Sequence, residues 1–241
     1  MTRTVLITGG GTGIGRAVAA AFADNGDAVV ITGRRSKILE HAADQLGPNV
    51  QAIVCDNSDP KDLQRLQQSL STSVDVLVHC AGGNTDFDRP SPTDLETLAA
   101  SWRANLDSNL LSAVLTTAAF RGALADGGSV ITIGSIAADK GAGAYGAAKA
   151  AVATWNIDLA AELGPEGITA NIVSPGYIAN TEFFRDILTD ERRDALIEST
   201  STKRAGTPED IAAAVFFLAS SGARQITGQV LAVNGGERTS R

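Results

Sequence analysis

Short apolar runs recur along the chain, and each is followed by a turn and then by a stretch with helical character. Val5-Leu6-Ile7, Val29-Val30-Ile31 and Val130-Ile131-Thr132-Ile133 are rich in β-branched residues and lack strict alternation of polar and apolar positions. Such runs are typical of strands that are buried on both faces of a sheet. We predict strands at residues 4–8, 27–32, 49–55, 74–79, 128–134, 168–173 and 229–233.

Predicted helices separate these strands, and their ends carry sequence signals. Asp59-Pro60 and the run Thr207-Pro208-Glu209-Asp210 are typical of helix starts, with a cap and an early proline. Gly47-Pro48 and Gly164-Pro165 are typical of helix ends. The alternation predicts an α/β fold with one parallel sheet and helices on both faces. The predicted helices cover residues 16–23, 36–46 (capped by Ser36), 60 onwards, 94–124, 145–163 and 211–220.

The composition fits one sizeable domain spanning residues 1–241. The chain is 44% hydrophobic with a net charge of −7 and a pI of about 4.8, which argues against a nucleic-acid partner. No apolar run reaches the ~18 residues that a membrane span needs, and the first apolar run is too short for a secretory signal. Cys55 and Cys80 lack metal-like spacing, so we expect reduced thiols, no metal and a cytoplasmic protein.

A glycine-rich turn lies between the first predicted strand and the first predicted helix. Five glycines fall within residues 9–15, in the pattern Thr8-Gly9-x-x-x-Gly13-x-Gly15. A strand, a glycine turn and a helix N-terminus together present backbone N–H groups to a phosphate. Such turns also occur for purely structural reasons. At this position, the turn predicts nucleotide binding by a three-layer, Rossmann-type, doubly wound parallel sheet of about seven strands.

The tips of the second and third strands predict which cofactor is bound. A carboxylate about 20 residues after the glycine turn would bind a free adenosine ribose, but Gly33 and Arg34 stand there. Because a guanidinium fork suits a 2′-phosphate, we predict NADP(H) rather than NAD(H). The alternative is that Arg34 and Arg35 are solvated loop charges. Asp56 either accepts a hydrogen bond from an adenine amino group or is an ordinary turn residue.

Four side chains are candidates for chemistry. Tyr145 and Lys149 share one face if their stretch is helical, and a nearby ammonium would lower the pKa of the phenol. Taken alone, such a pair is usually a surface feature of an ordinary helix. Ser135, at the tip of the fifth strand, is expected to point into the crevice. Asn109, inside an apolar helical run, is a satisfied core amide, a helix irregularity or a functional group.

Together these motifs resemble the short-chain dehydrogenase/reductase family over nearly the whole chain. Each motif is weak alone, but their combination and order are highly specific. The resemblance rests on the turn Thr8 to Gly15, Ala81-Gly82, Asn109, Ser135, Tyr145 with Lys149, Pro175-Gly176 followed by Thr181, Thr227-Gly228-Gln229 and Asn234-Gly235-Gly236.

The resemblance implies hydride transfer between NAD(P)(H) and a carbonyl or secondary alcohol. Tyr145 would exchange the proton with the substrate oxygen, and Lys149 would lower its pKa and bind the nicotinamide ribose. Ser135 would hold the substrate oxygen, and Asn109 would help to keep a water-linked proton path. The predicted cofactor-binding residues are Gly9, Thr12, Gly13, Ile14, Gly15, Arg34, Asp56, Ala81, Gly82, Tyr145, Lys149, Pro175, Gly176, Ile178 and Thr181, the last binding the carboxamide.

Three features depart from the family pattern. His79-Cys80 replaces the usual pair of asparagines before Ala81-Gly82, so the asparagine side-chain bonds do not transfer. We expect His79 to be a structural hydrogen-bonding residue. Ser135 and Tyr145 are unusually close in sequence, which predicts a trimmed, open substrate pocket. Thr12 replaces the basic residue of many NADP-dependent members, so the prediction of NADP(H) depends chiefly on Arg34.

The leading interpretation is an NADP(H)-dependent reductase or dehydrogenase of a small carbonyl or alcohol substrate. Arg204 to Ala212 is similar to the 3-oxoacyl-acyl-carrier-protein reductase branch, which implies a 3-oxoacyl thioester substrate. The alternatives are an NAD-linked sugar, steroid or cyclic-ketone dehydrogenase and a non-catalytic nucleotide-binding regulator. The resemblance also implies a homotetramer. The charged segment 177–201 is predicted to cover the substrate as a lid.

Overall fold

A parallel sheet of seven strands organises the computed structural model, which describes residues 2–70 and 72–239. The strands are β1 Thr4–Thr8, β2 Ala28–Gly33, β3 Val50–Val54, β4 Val74–His79, β5 Leu124–Ile133, β6 Thr169–Pro175 and β7 Val230–Val233. They pair in the order β3-β2-β1-β4-β5-β6-β7, with every pairing parallel. The predicted doubly wound α/β sheet is therefore confirmed.

Helices cover both faces of the sheet and bury two separate apolar clusters. One cluster packs helices on the sheet through residues that include Phe22, Leu39 and Ile211. The cluster on the other face includes Phe120 and Leu159. Within the described residues the helices are α1 Gly13–Asp24, α2 Ser36–Leu46, α3 Pro60–Ser69, α4 Leu95–Leu106, α5 Ser112–Phe120, α6 Ala137–Lys140, α7 Gly143–Leu163, α8 Asp190–Glu198 and α9 Pro208–Leu218.

The predicted helix starts hold at two of three positions. The Asp59 carboxylate accepts a backbone N–H of the first turn of α3, and Thr207 forms a capping box with Asp210 at the start of α9. The prediction that Ser36 caps α2 is wrong, because Arg35 occupies that position. The Ser36 hydroxyl instead donates to a glutamate one turn further on.

The predicted helix at 94–124 is interrupted. A π-helical turn at Asp107–Leu111 separates α4 from α5, and β5 already begins at Leu124, where it runs beside β4 with an irregular register. Trp102 and Leu111, two apolar residues of this stretch, are more than 40% exposed. The apolar pattern therefore predicted a helical stretch here, but not its interruption, its end at Phe120 or the exposure of its outer face.

Candidate active site

The carboxyl ends of the strands open into a cavity of about 1260 Å³. The strand order reverses at β1, which has β2 on one side and β4 on the other, and a crevice forms at such a reversal. Thr8 and His79 are the paired last residues of β1 and β4. The chain beyond them stays close, since the Thr8 hydroxyl accepts the N–H of Ala81 at 3.0 Å.

The glycine turn after β1 is folded tightly against the next loop. Gly9 has a φ of +67°, and a Cβ there would lie 2.8 Å from the backbone nitrogen of Ala81. A Cβ on Gly15 would lie 2.2 Å from the carbonyl oxygen of Gly9. Both positions therefore require glycine. At the N-cap of α1, Thr12 makes no side-chain bond to the first turn, so backbone N–H groups of that turn are available to an anion.

The structure brings the residues predicted for cofactor binding, together with Ser135, to this one cavity. Most are contributed by loops that follow the carboxyl ends of the strands, and the others by the start of α1 and by α7. The lining includes Gly9, Thr12, Gly13, Ile14, Gly15, Arg34, Asp56, Ala81, Gly82, Ser135, Tyr145, Lys149, Pro175, Gly176, Ile178 and Thr181.

The two arginines after β2 have different environments. Arg35 donates to the Glu182 carboxylate at 2.8 Å, which joins this loop to the segment that follows β6. Arg34 is exposed, lines the cavity and makes no hydrogen bond or ion pair with the described residues. Burial opposes the ionisation of Asp56, but hydrogen bonds from Ser58 and the charge of Arg34 keep its pKa below the usual value. Among the described residues, Arg34 is therefore a guanidinium without an internal partner at this end of the cavity.

Tyr145 and Lys149 occupy one buried face of α7. Lys149 Nζ donates to the Ile133 carbonyl at 2.7 Å and lies 5.9 Å from the centre of the Tyr145 ring. Burial raises the pKa of Tyr145 to about 12, while the neighbouring Ser135 hydroxyl acts in the opposite direction. Burial lowers the pKa of Lys149 to about 8. The expected lowering of the Tyr145 pKa by Lys149 is wrong for this structure, because desolvation of the phenol dominates.

Asn109 lies in the π-helical turn and does not line the cavity. Its side-chain amide donates to the Gly83 carbonyl at 2.9 Å and accepts the Gly83 N–H at 3.0 Å. It also donates to the Asn105 carbonyl at 3.0 Å. Of the three alternatives considered from the sequence, Asn109 is thus both a satisfied amide and part of a helix irregularity. It fixes the loop that follows β4, behind the cavity wall.

His79 is buried at the end of β4, where its Nε2 lies 2.8 Å from the Thr117 hydroxyl. Burial, with a further contribution from Lys149, lowers the pKa of His79 to about 3, so the imidazole is neutral at physiological pH. Cys80, the next residue, lines the cavity, and burial raises the pKa of its thiol to about 12. At neutral pH neither side chain carries charge into the site.

Sequence reasoning missed an aromatic group at the substrate end of the cavity. Phe87, Phe183 and Phe184 line the cavity, and Phe183 lies 5.6 Å from the Tyr145 ring, centre to centre. Arg185 forms a bidentate pair with Asp88, which fastens this segment to the loop after β4. The available signal was the adjacent pair Phe183-Phe184 inside an otherwise charged stretch.

Among the described side chains, no group of three or more histidine, cysteine or acidic residues is arranged to hold a metal ion. Of the helices in residues 2–70 and 72–239, none is long and apolar enough to cross a membrane.

Comparison with known proteins agrees with this geometry. A family model described as enoyl-(acyl carrier protein) reductase matches residues 9–237. The chain is 34% identical to the 3-oxoacyl-(acyl-carrier-protein) reductase FabG of Escherichia coli over 242 aligned positions, which cover 97% of this chain and 96% of the relative. The chain therefore belongs to the short-chain dehydrogenase/reductase family and is an NAD(P)-dependent oxidoreductase.

Solved structures have the same fold. A short-chain glucose/ribitol dehydrogenase from Brucella melitensis superposes with a TM-score of 0.89 at 32% identity, over 99% of this chain and 97% of that one. A blue fluorescent protein from a metagenomic library, solved with NADPH, superposes with a TM-score of 0.83 at 29% identity, over 98% of each chain.

Proposed function

We propose that the protein transfers a hydride between NADP(H) and the carbonyl of a small ketone, with Tyr145 as the proton donor. One observation carries the proposal: the Tyr145 phenol lies buried beside Ser135 and Lys149 in the same cavity as the glycine turn. The phenol keeps its proton at neutral pH because its pKa is about 12. A protonated phenol suits reduction of a carbonyl, in which the oxygen must receive a proton.

The residues of the cavity fit a dinucleotide. The available N–H groups at the start of α1 suit the pyrophosphate, and Asp56 suits the adenine amino group. Lys149 suits the nicotinamide ribose, and Thr181 suits the carboxamide. When bound, NADPH supplies a hydride to the carbonyl carbon and is oxidised to NADP⁺.

The side chains of this chain would do the rest. Ser135 holds the carbonyl oxygen by a hydrogen bond, and Tyr145 Oη passes its proton to that oxygen as the carbon–oxygen π bond breaks. Lys149 places a positive charge next to the phenolate that remains, which favours proton transfer. Asn109 holds the loop at Gly83. By doing so it keeps a water-linked path through which the Tyr145 phenolate regains its proton.

The preference for NADP(H) is supported by Arg34. Its guanidinium is exposed at the adenosine end of the cavity and has no ion pair with the described residues. The relative from the metagenomic library was solved with NADPH. The runner-up is an NAD-linked secondary-alcohol dehydrogenase, which is favoured only by Thr12 standing where many NADP-dependent members have a basic residue.

The similarity to FabG makes 3-oxoacyl thioesters the first substrates to test.

We further propose a cytoplasmic homotetramer of one-domain subunits, in which segment 177–201 acts as a lid. The assembly is supported by an apolar stripe on α4, formed by Leu95, Leu98 and Trp102 at one-turn intervals and exposed to solvent. The lid is supported by its two ion pairs across the cavity, through Glu182 and Arg185.

The decisive experiment is NADPH oxidation with a panel of 3-oxoacyl thioesters, cyclic diketones and simple ketones, beside NADH and a Tyr145→Phe control. Turnover that the variant abolishes supports the proposal. Faster turnover with NADH refutes the role of Arg34 but not that of Tyr145. Tight NADPH binding without turnover across the panel favours the non-catalytic alternative.

A further inference from the structure

An aromatic cluster stands at the substrate end of the cavity and has no role in hydride transfer. We name it the aromatic mouth, formed by Phe87, Tyr177, Phe183 and Phe184. Phe87 stacks on Phe184 at 5.9 Å and meets Phe183 edge-on at 5.7 Å, centre to centre. Tyr177 lies 5.9 Å from Phe184. Through Phe183 the aromatic mouth reaches the ring of Tyr145 at 5.6 Å.

The fold does not account for these rings. All four are only partly buried and line the cavity. Among the described residues, neither of the two apolar clusters that hold the helices on the sheet includes them. Partly exposed aromatic faces that converge on a cavity are typical of ligand recognition.

A second part of the cavity lining is made of small residues. The loop between Ser135 and Tyr145 places Gly141 and Ala142 at the cavity, and a Cβ added to Gly141 would meet nothing within 4 Å. The cavity that holds Ser135 and Tyr145 is therefore lined both by aromatic rings and by small, open positions. Such a lining offers different surroundings to the two substituents of a ketone.

The charges around the aromatic mouth are mostly paired within the chain. Lys140 is bonded to Glu237, and Arg185 is bonded to Asp88 in a bidentate pair. The guanidinium of Arg192 stacks over Phe184, 5.4 Å from the ring centre. Lys140 and Arg185 thus already have carboxylate partners, and the Arg192 guanidinium is engaged with the Phe184 ring. The pocket is therefore better suited to a neutral substrate.

We propose that the preferred substrate is a neutral ketone with an aromatic ring within one or two bonds of its carbonyl. The ring would stack on the aromatic mouth, and the smaller substituent would lie beside Gly141. The proposal rests on the carbonyl reduction proposed above and names aryl and arylmethyl ketones, rather than acyl thioesters, as its preferred substrates.

The test compares phenylacetone with cyclohexylacetone. The two ketones have similar size and similar carbonyl reactivity, because a methylene separates the ring from the carbonyl in both. We expect kcat/KM with NADPH to be about tenfold higher for phenylacetone, since aromatic pairs add to what area burial alone supplies. Acetoacetyl-coenzyme A is the anionic thioester comparison and is expected to react more slowly than phenylacetone.

Leucine variants link the preference to the aromatic mouth. Phe184→Leu and Phe87→Leu should each reduce the phenylacetone preference to about threefold or less. Phe217→Leu is the matched control, because Phe217 is an exposed phenylalanine of α9 that does not line the cavity. Unchanged NADPH binding, followed by cofactor fluorescence, shows that the variants are folded.

A binding readout separates this proposal from the proposed reaction. In saturation-transfer NMR with the cofactor-free protein, the phenyl protons of phenylacetone should show strong saturation that Phe184→Leu removes. Saturation without turnover of any ketone refutes the reductase and keeps the ring site. Turnover that favours cyclohexylacetone or acetoacetyl-coenzyme A, or treats both rings alike, overturns the ring site and leaves the reductase standing. Neither saturation nor turnover refutes both.

Discussion

Lys149 and Tyr145 are stacked one helical turn apart, with the lysine Nζ 5.9 Å from the centre of the phenol ring and hydrogen-bonded to the Ile133 carbonyl at 2.7 Å. The lysine ammonium is thus hydrogen-bonded to the last residue of β5 and lies next to the proposed proton donor. Burial favours the neutral form of both groups. It therefore lowers the pKa of Lys149 to about 8 and raises the pKa of Tyr145 to about 12. The burial of these two groups leads to one prediction about stability and one about catalysis.

Lys149 should make stability depend on pH. Its pKa falls from 10.5 in the unfolded chain to about 8 in the folded one, so between these values the unfolded chain binds more protons and the free energy of unfolding rises with pH. Lys149→Met removes this contribution. The difference in the free energy of unfolding between wild type and variant should therefore change by on the order of 3 kcal/mol between pH 8 and pH 10.5. Urea unfolding at several pH values measures it, and a constant difference would contradict the assignment.

Removal of the phenol should stop the reaction without preventing cofactor binding. Tyr145→Phe keeps the ring against Phe183 and deletes only the proton donor, so kcat should fall about 10²- to 10⁴-fold. The NADPH dissociation constant should stay within about twofold of the wild-type value. Tyr177→Phe is the matched control, because its phenol lines the same cavity. Equal losses in both variants would remove Tyr145 from its proposed role.

Arg34, and not Arg35, should decide between the two cofactors. Arg34→Ala should raise KM for NADPH about tenfold or more, since a hydrogen bond between charged groups contributes about 1.5–3 kcal/mol, and should leave KM for NADH nearly unchanged. Arg35→Ala should affect NADPH less, because that guanidinium is already bound to Glu182. Initial rates with both cofactors measure this. If Arg35→Ala has the larger effect, Arg35 rather than Arg34 binds the 2′-phosphate of NADPH.

The ion pair between Arg185 and Asp88 should restrain the segment 177–201. Asp88→Asn removes one partner of the bidentate pair, and exposed pairs contribute about 0.2–1 kcal/mol, so chymotrypsin should cleave after Phe183 or Phe184 up to about fivefold faster. NADPH should protect the segment. Asp190→Asn breaks a pair within α8 and is the control. Equal cleavage with and without NADPH would count against the lid.

The exposed stripe on α4 should be covered by a second copy of the chain. Wild-type protein should elute with a mass near four times 24.8 kDa in size-exclusion chromatography with light scattering. Trp102→Glu should give smaller species, because a charge placed in an apolar contact is desolvated without a partner. Val54→Glu, at an exposed apolar residue of β3, should leave the mass unchanged. A monomer for wild type would end the proposal.

Much of the site was predictable because it is made of backbone and strand ends. Apolar runs such as Val5 to Ile7 identify buried strands, and parallel strands bring their following turns to one edge, which places Gly9, Ser135 and Tyr145 together. Side-chain environment is a different matter. The spacing of Tyr145 and Lys149 indicates proximity, but whether the charge of one or the burial of both dominates depends on surrounding packing.

Other features leave no periodic signal. The π-helical turn around Asn109 continues a helical pattern, and Asn109 alone does not identify it, because that residue was equally compatible with a core amide or a functional group. The exposure of Trp102 depends on what covers α4, whereas an apolar pattern reports only that one face is apolar. Phe183 and Phe184 acquire meaning only once the segment after β6 folds back over Tyr145.

The π-helical turn sets how far α5 is rotated about the helix axis relative to α4. Each residue turns an α-helix by about 100°, and the wider turn shifts α5 relative to α4. On one side of the turn, Asn105 supports the loop after β4. On the other, Thr117 meets His79 and Thr116 meets Asn57. Deleting one residue from 107–111 would rotate one set of partners away, so a single helix satisfies both the active-site loop and the buried sheet only because of this turn.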